Sequence, residues 1–328
     1  MSTLLELADL QMLFPISSDA GVTWPFSRGS SYLHAVDGVD LRIEEGDSVG
    51  LVGESGCGKS TLVRLIARLL APSAGRICFQ GADLAAVSLR DFSTSAQRAM
   101  IQVVFQDSDG SLNPRFKAFD CIAEPIRRMG QPTDRSKLAA RVEELAELVG
   151  LPSSLLARFP HQLSGGQKAR VNIARAIALS PKLLILDEPT SALDVSVQAV
   201  ILKLLADLRP RLGMTYLFVS HDLNVVRLLC DSVVVMYLGK VVESGPAKRV
   251  LRDPRHPYTR TLLAAVPGQT RFAVDKGGFA GEPTSPIDPD QNACRFVGRC
   301  VHAQARCSTS APTLRGDAHQ VACHLKLD

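Results

Sequence analysis

Short apolar runs alternate along this chain with polar segments of helical spacing. Near the N-terminus "LLELADLQML" and "AVDGVDLRI" read as strands, and the apolar "SVGLVG" runs straight into a glycine-rich turn. The stretch between the first two, "FPISSDAGVTWPFSRGSSYLH", carries two prolines and no periodicity, which predicts a loop. From Ser60, "STLVRLIARLL" sets Leu62, Leu65, Ile66 and Leu69 on one helical face and stops before "APSAGR". Strand, glycine loop and helix in this order open an α/β nucleotide-binding sheet. "IQVVFQ", "KLLILDE" and "MTYLFVS" predict further strands, apolar throughout and polar at their C-terminal ends, as in parallel sheets covered on both faces. Over residues 107–163 the alternation breaks. There "RSKLAARVEELAELVGL" is an amphipathic helix among Pro-containing turns, which predicts a helical subdomain inserted into the sheet domain. "DSVVVMYLGKVVESG" predicts a hairpin, and beyond about Val266 a loop-rich linker leads to a terminal segment with four cysteines.

Composition narrows the setting. Among 328 residues, 37 basic and 33 acidic side chains leave a net charge of +4, too mild for a nucleic-acid footprint. The apolar runs "LLIL" and "VVVMYL" fall far short of the roughly 18 residues of a spanning helix, so membrane attachment is expected through partners. "MSTLLELADLQMLF" has no basic start and no small-residue cleavage site, and the expected compartment is the cytoplasm. In that reducing setting Cys57, Cys78, Cys121 and Cys230 are expected as free, core or near-core side chains.

Two motifs carry phosphate chemistry. "GESGCGKST" comprises Gly53, Glu54, Ser55, Gly56, Cys57, Gly58, Lys59, Ser60 and Thr61, with four residues between Gly53 and Gly58. Its glycines let backbone N–H groups converge on phosphate oxygens at a helix N-terminus; Lys59 reaches the β- and γ-phosphates and Ser60 ligates Mg²⁺. "LILDEP" ends a buried strand on Asp187, placed to hold Mg²⁺ through water, and Glu188, placed to orient or deprotonate an attacking water. "LSGGQ" starts a helix: Ser164 and Gln167 form a capping box, and Gly165 and Gly166 leave donors open to an anion.

The phosphate loop, "VVFQD", "LSGGQ", "LILDEP", "SALD" and "VSHD", in this order, resemble the nucleotide-binding subunit of an ABC transporter over nearly the whole chain. The resemblance implies a P-loop ABC cassette with an antiparallel β subdomain and an inserted helical subdomain at about 107–170, within an ATPase domain of residues 1–245. It implies two ATP sites in a head-to-tail dimer, with Ser164 and Gly166 meeting the γ-phosphate held by the opposite subunit. Gln106 would link Mg²⁺ and water to the helical subdomain, Asp194 would lie at the dimer seam, and His221 would contact the γ-phosphate. For the aromatic that stacks on adenine, Tyr32, 27 residues before Lys59, suits the family. Phe26 and Trp24 compete for that role, and packing is the alternative.

Outside these motifs, "AVDGVDL", "GSLNPR", "VMYLGKVVESG", "HPYTRTLL" and "CRF…RC…C…VACHL" resemble the ATP-binding subunits of oligopeptide and dipeptide importers, "GSLNPR" being closer to the second of two sister ATPases. The implied partners are a sister ATPase (a heterodimer favoured over a homodimer), two permeases and, indirectly, a solute-binding protein. The implied place is the cytoplasmic face of the bacterial inner membrane. Importers of nickel, glutathione or opines share much of the pattern. A soluble ABC ATPase acting on nucleic acid or ribosomes is the rival class, disfavoured by the single cassette and by the tail. A scaffold without hydrolysis would require Glu188 or His221 to be replaced.

Residues 246–328 then form an importer-type extension. Between Cys294, Cys300, Cys307 and Cys323 lie five, six and fifteen residues, with no CxxC knuckle. The segment holds too few apolar residues to be expected to fold by burial alone, so a metal staple is expected. Four cysteines suit a [4Fe–4S] cluster as well as zinc. The resemblance favours the cluster; zinc, with help from His302, His319 or His324, and free thiols are the alternatives. Arg295, Arg299 and Arg306 are expected either to offset a cluster's negative charge or to be solvated. The sequence departs from the family at "QKAR" and "FVGRCV", the second of which touches the tail.

Overall fold

In the computed structural model, which describes residues 2–16, 31–107, 110–130, 134–266 and 284–325, the first two apolar runs become antiparallel partners. These are β1 (Thr3–Ile16) and β2 (Ser31–Glu44). Leu5, Leu7, Leu10, Val39, Leu41 and Ile43 are buried between polar neighbours, the alternation of a half-covered sheet. The loop expected between them is shorter than the sequence suggests, because Phe14 to Ile16 and Ser31 to His34 belong to the strands. Pro15 sits opposite Tyr32, at a point where β1 is paired on one side and a missing N–H costs little. Trp24 and Phe26 lie outside the described residues.

The chain continues through β3 (Ser48–Val52), α1 (Lys59–Ile66), β4 (Ala74–Phe79), β5 (Ala82–Asp83), α2 (Leu89–Phe92), α3 (Ala96–Met100) and β6 (Ile101–Val104). Helix α1 stops short of the predicted Leu70: Arg68 takes φ 53, in the left-handed region, and Leu69 is turned outward. The inserted helices are α4 (Ala118–Met129) and α5 (Arg135–Leu148), followed by α6 (Gly165–Ile177). Then come β7 (Leu183–Asp187), α7 (Val195–Leu212), β8 (Thr215–Val219), α8 (Leu223–Leu229), β9 (Ser232–Tyr237), β10 (Lys240–Pro246), α9 (Ala247–Arg252), α10 (Pro257–Ala264) and β11 (Gln320–Val321).

Two sheets result. One is the antiparallel order β2-β1-β4-β5, and the other is β11-β10-β9-β3-β8-β7-β6. In the second, β6, β7, β8, β3 and β9 run parallel, while the β9–β10 hairpin and β11 add antiparallel edges. Every residue of β3, β7 and β8 is buried, which is why they read as unbroken apolar runs. Along β8, Tyr216 and Phe218 enter a core shared with α4 to α7, while Leu217 and Val219 enter one shared with β1, β2 and α1. The parallel strands thus bring their C-terminal ends, and the polar residues after them, to one edge.

The C-terminal extension joins this body instead of hanging from it. Ala247, Val250, Leu251, Tyr258, Leu263 and Phe296 are buried in the same core as β9 and β10. Beneath them Glu243, fully buried on β10, accepts from the N–H groups of Arg255 and His256 and lies 2.7 Å from His319 Nε2. Among the described residues no helix is long and apolar enough to cross a membrane.

Candidate functional site

After β3 the chain turns through Gly53 to Gly58 and enters α1 at Lys59. Gly58 takes φ 106, and a Cβ there would stand 2.2 Å from the Ala35 carbonyl oxygen, so the loop closes on β2 only with glycine at that position. The buried Lys59 ammonium donates to the carbonyls of Gly53 and Glu54 at 2.7 and 2.9 Å. Cys57 is buried behind the loop, and burial pushes its thiol above the ordinary value despite Lys59.

Facing Lys59, β7 delivers Asp187 and Glu188. Burial, and then the Glu188 charge, push the Asp187 carboxyl upward against the pull of Lys59 and Arg64. A cation held there would stabilise the carboxylate. Glu188 takes φ 46, a conformation unusual for a non-glycine residue and found in strained, functional positions. Its Oε2 accepts from Gln106 Nε2 at 3.1 Å and lies 3.1 Å from His221 Nδ1. The ends of β6, β7 and β8 therefore converge on one carboxylate, which joins three motifs that lie far apart in the sequence.

A cleft of about 370 Å³ joins Lys59, Gln106, Glu188 and His221, with Asp187 not among its lining residues. It is lined by Ser55, Gly56, Gly58, Lys59, Ser60 and Thr61, by Gln106, Glu188 and His221, and by the apolar or backbone groups of Phe14, Leu33, Ala35 and Pro286. Ser60, Gln106 and Asp187 are hard oxygen donors of the kind Mg²⁺ takes. Tyr32 is not among the lining residues; its neighbour Leu33 is, and successive strand residues face opposite ways. Phe14, Leu33 and Pro286 escaped the sequence reading because two are ordinary strand residues and the third lies 227 positions after Lys59.

The residues of "LSGGQ" stand elsewhere. Ser164 caps α6 in a reciprocal box with Gln167, as the spacing predicted. Hypothetical Cβ atoms on Gly165 and Gly166 would meet Leu193 and Val197, which flank Asp194. Signature and "SALD" segments thus form one surface, and none of Ser164, Gly165, Gly166, Gln167 or Asp194 lines the cleft of its own chain.

The tail requires corrections. Phe296 is buried against Tyr237, Tyr258 and His256, with ring centroids 5.1, 5.6 and 5.7 Å away, so burial does anchor the segment. Arg295 pairs with Asp37 and Arg299 with Glu54, both withdrawn from solvent and engaged away from any cluster, whereas Arg306 is exposed, as the solvated alternative has it, and donates to the His324 carbonyl. His319 is occupied by Glu243, and His324 Nε2 lies 2.7 Å from the Ser310 carbonyl oxygen. No disulfide joins any of the eight cysteines. Cys294 lies near enough to Cys300, Cys307 and Cys323 for their charges to act on it. Burial first, then the neighbouring thiols, push Cys294 up to about 11, and Cys300 and Cys323 are raised in the same way. Among the described residues, however, no group of three or more His, Cys, Asp or Glu side chains is arranged to hold a metal ion.

Known proteins match both parts of the chain. The family described as "ABC transporter" matches residues 36–191, and "Oligopeptide/dipeptide transporter, C-terminal region" matches residues 242–307. Two similar relatives are the oligopeptide transport ATP-binding proteins AppF of Bacillus subtilis and OppF of Escherichia coli. They are 44% and 43% identical, over 98% and 99% of this chain and 97% and 96% of theirs. Among solved structures, the ATP-binding cassette MJ0796 in a dimeric post-hydrolysis state bound to ADP and Pi matches with a TM-score of 0.65 at 27% identity, covering 74% of this chain and 99% of that one. CbiO1 from Clostridium perfringens, part of the ABC transporter complex cbiONQ, matches at 0.63 with 30% identity, covering 77% and 92%.

Proposed function

The chain belongs to the ATP-binding subunits of oligopeptide and dipeptide ABC importers, in which ATP hydrolysis drives transport, and we propose how its residues divide that work. Lys59 and the backbone N–H groups of Ser55 to Thr61 hold the phosphates of ATP. Ser60, Gln106 and Asp187 hold Mg²⁺, which supplies charge neutralisation of the phosphates. Glu188 orients or deprotonates the attacking water, and His221 contacts the γ-phosphate. The observation that carries this reading is the Glu188 carboxylate, engaged at once by Gln106 and His221 in the same cleft as Lys59. Glu188→Gln tests it: ATP binding should persist while turnover in the assembled transporter falls on the order of 10²-fold or more. Near-normal turnover refutes the role.

Residues 1–245 are proposed as the ATPase domain, with the helical subdomain at about 107–170, and 246–328 as an extension built onto the same sheet. The site is completed by a second subunit. Val195, directly after Asp194, is 83% exposed, and an apolar residue beside the signature surface supports a covered face there. A sister ATPase is the partner proposed, with two permeases holding the pair to the cytoplasmic face of the inner membrane. An open cleft of about 570 Å³ beside Gln106, lined in part by Leu69, Ile101, Phe105 and Pro125, supports a permease contact.

For the tail, the gathering of four half-buried to buried thiols supports a thiolate-ligated centre in kind. Cys294, Cys300, Cys307 and Cys323 would hold a [4Fe–4S] cluster, or zinc, whose cationic metal would stabilise thiolates that burial otherwise disfavours. Protein purified anaerobically should be brown, with about four iron and four sulfide per chain, and Cys300→Ser should bleach it. Colourless protein with stoichiometric zinc decides for zinc, and protein with neither metal refutes the centre.

A further inference from the structure

The segment "HPYTRTLL" of the extension reaches the phosphate loop through one oxygen atom. Tyr258, fully buried on α10, accepts the backbone N–H of Glu54 on its hydroxyl at 2.7 Å, across 204 positions of sequence. The ring is fixed from several sides. It packs on Tyr237 and Phe296 with centroids 4.7 and 5.6 Å away, Pro257 opens the helix beneath it, and His256 Nδ1 accepts its backbone N–H at 3.1 Å. Burial pushes the Tyr258 hydroxyl above its ordinary value, so it keeps its proton and offers a neutral acceptor.

The bond falls on a peptide unit that is held at its other end by Lys59. The Gly53 carbonyl, in the same peptide as the Glu54 N–H, accepts from Lys59 Nζ at 2.7 Å. A Cβ on Gly53 would stand 2.3 Å from the Met236 carbonyl oxygen, so only glycine fits, and no side chain there limits rotation of the peptide that follows. Lys59 spends its three N–H donors on the Gly53 carbonyl, the Glu54 carbonyl and Cys57 Sγ, so reaching the β- and γ-phosphates must release some of them. We propose that Tyr258 is a positioning residue of the ATP site: its hydroxyl locks the Gly53–Glu54 peptide, so the loop keeps its phosphate-binding shape when Lys59 turns to the nucleotide. The inference rests on the cleft being the ATP site. The lock also withdraws the Glu54 N–H from phosphate, leaving the N–H groups from Ser55 onward, and Glu54 is not among the residues lining the cleft.

Tyr258→Phe in the full-length protein removes the hydroxyl and keeps the ring. It should weaken ATP binding with Mg²⁺ roughly fivefold to tenfold, the scale of one hydrogen bond whose donor is left unsatisfied. In the assembled transporter the ATP KM should rise while kcat stays within about twofold, as expected of a group that shapes the binding loop and not the reacting atoms. Val250→Ala, which removes buried volume from α9 of the same extension, is the structural control: it should lower the melting temperature and leave ATP affinity unchanged. Hydrogen exchange resolved at the Glu54 amide reads the bond itself. It should be slow in wild type with and without ATP, and roughly tenfold faster in Tyr258→Phe. Unchanged ATP affinity in Tyr258→Phe overturns the proposal, as does a Glu54 amide that exchanges fast in wild type or is released when ATP binds. An equal loss of affinity in Val250→Ala also overturns it, since general loosening of the extension would then account for the effect. Wild-type protein that binds no ATP, or whose ATP binding survives Lys59→Ala, would instead overturn the assignment of the cleft itself.

Discussion

Arg299 places two guanidinium nitrogens on the carboxylate of Glu54, at 2.7 and 3.1 Å, across 245 positions of sequence. Glu54 is the second residue of the phosphate loop, and Arg299 immediately precedes Cys300. The same glutamate donates its backbone N–H to the Tyr258 hydroxyl at 2.7 Å, and Arg299 lies over the Tyr237 ring at 5.7 Å. Side chain and backbone of one loop residue are thus both held by the extension. The bond to Glu54 raises the Arg299 guanidinium above its ordinary value.

Removing this fork should loosen both partners. Arg299→Ala leaves the Glu54 carboxylate, still partly reachable by water, without its cation. The expected cost is about 2 kcal/mol, below that of a fully buried pair because solvent screens the glutamate. The ATP KM should rise together with a fall in melting temperature. Arg299→Lys, which cannot deliver two parallel donors, should fall between wild type and alanine. An unchanged ATP KM in Arg299→Ala would disconnect the tail from the loop.

Two glycines of the loop should respond very differently to alanine. Gly56 takes φ 79 with open space where a Cβ would go, so Gly56→Ala pays only for its backbone, about 1 to 2 kcal/mol. Gly58 has the same handedness and a backbone oxygen 2.2 Å from the new Cβ. Gly58→Ala must push the loop off β2, costing about 3 kcal/mol or more and most of the ATP affinity. Melting curves and ATP titrations on the pair check this, and equal effects would mean that the contact with Ala35 is not what holds the loop.

What was legible in the sequence follows from how locally each feature is encoded. β3, β7 and β8 are buried on both faces, so their apolar runs announce them; Asp187, Glu188, Gln106 and His221 follow because each sits within two residues of a strand end, and Lys59 because it opens the helix after the glycine loop. The capping box at Ser164 is a spacing of three and needs no tertiary knowledge. The docking of the tail was not legible. Arg299, Arg295 and Phe296 have partners on β2, the phosphate loop, β9 and α10, and no periodicity in "ACRFVGRC" identifies Glu54, Asp37 or Tyr258 as the other halves. The four thiols likewise gave a count and a spacing but no geometry.

The extension should also carry an acid-sensitive joint at His256. Its Nδ1 accepts the Tyr258 N–H at 3.1 Å, capping α10, and its ring packs on Phe296 in an almost fully buried position. An imidazole that accepts at Nδ1 must be unprotonated there. Burial lowers its pKa from 6.5 to about 4, although Glu243 pulls the other way. The folded pKa therefore lies below the unfolded one. As pH falls through about 6.5 the unfolded chain takes up the proton first, so stability declines between about pH 6.5 and 4 and is fully present above that window. The size of the effect is about 3 kcal/mol from this one group. Melting temperature against pH should thus fall more steeply in wild type than in His256→Gln, whose side chain does not titrate. The comparison rests on slopes over pH 4 to 6.5, so a general destabilisation by the substitution does not mask it. Parallel slopes in the two proteins would show that His256 is protonated in the folded state, and that the cap on α10 is held by something other than its Nδ1.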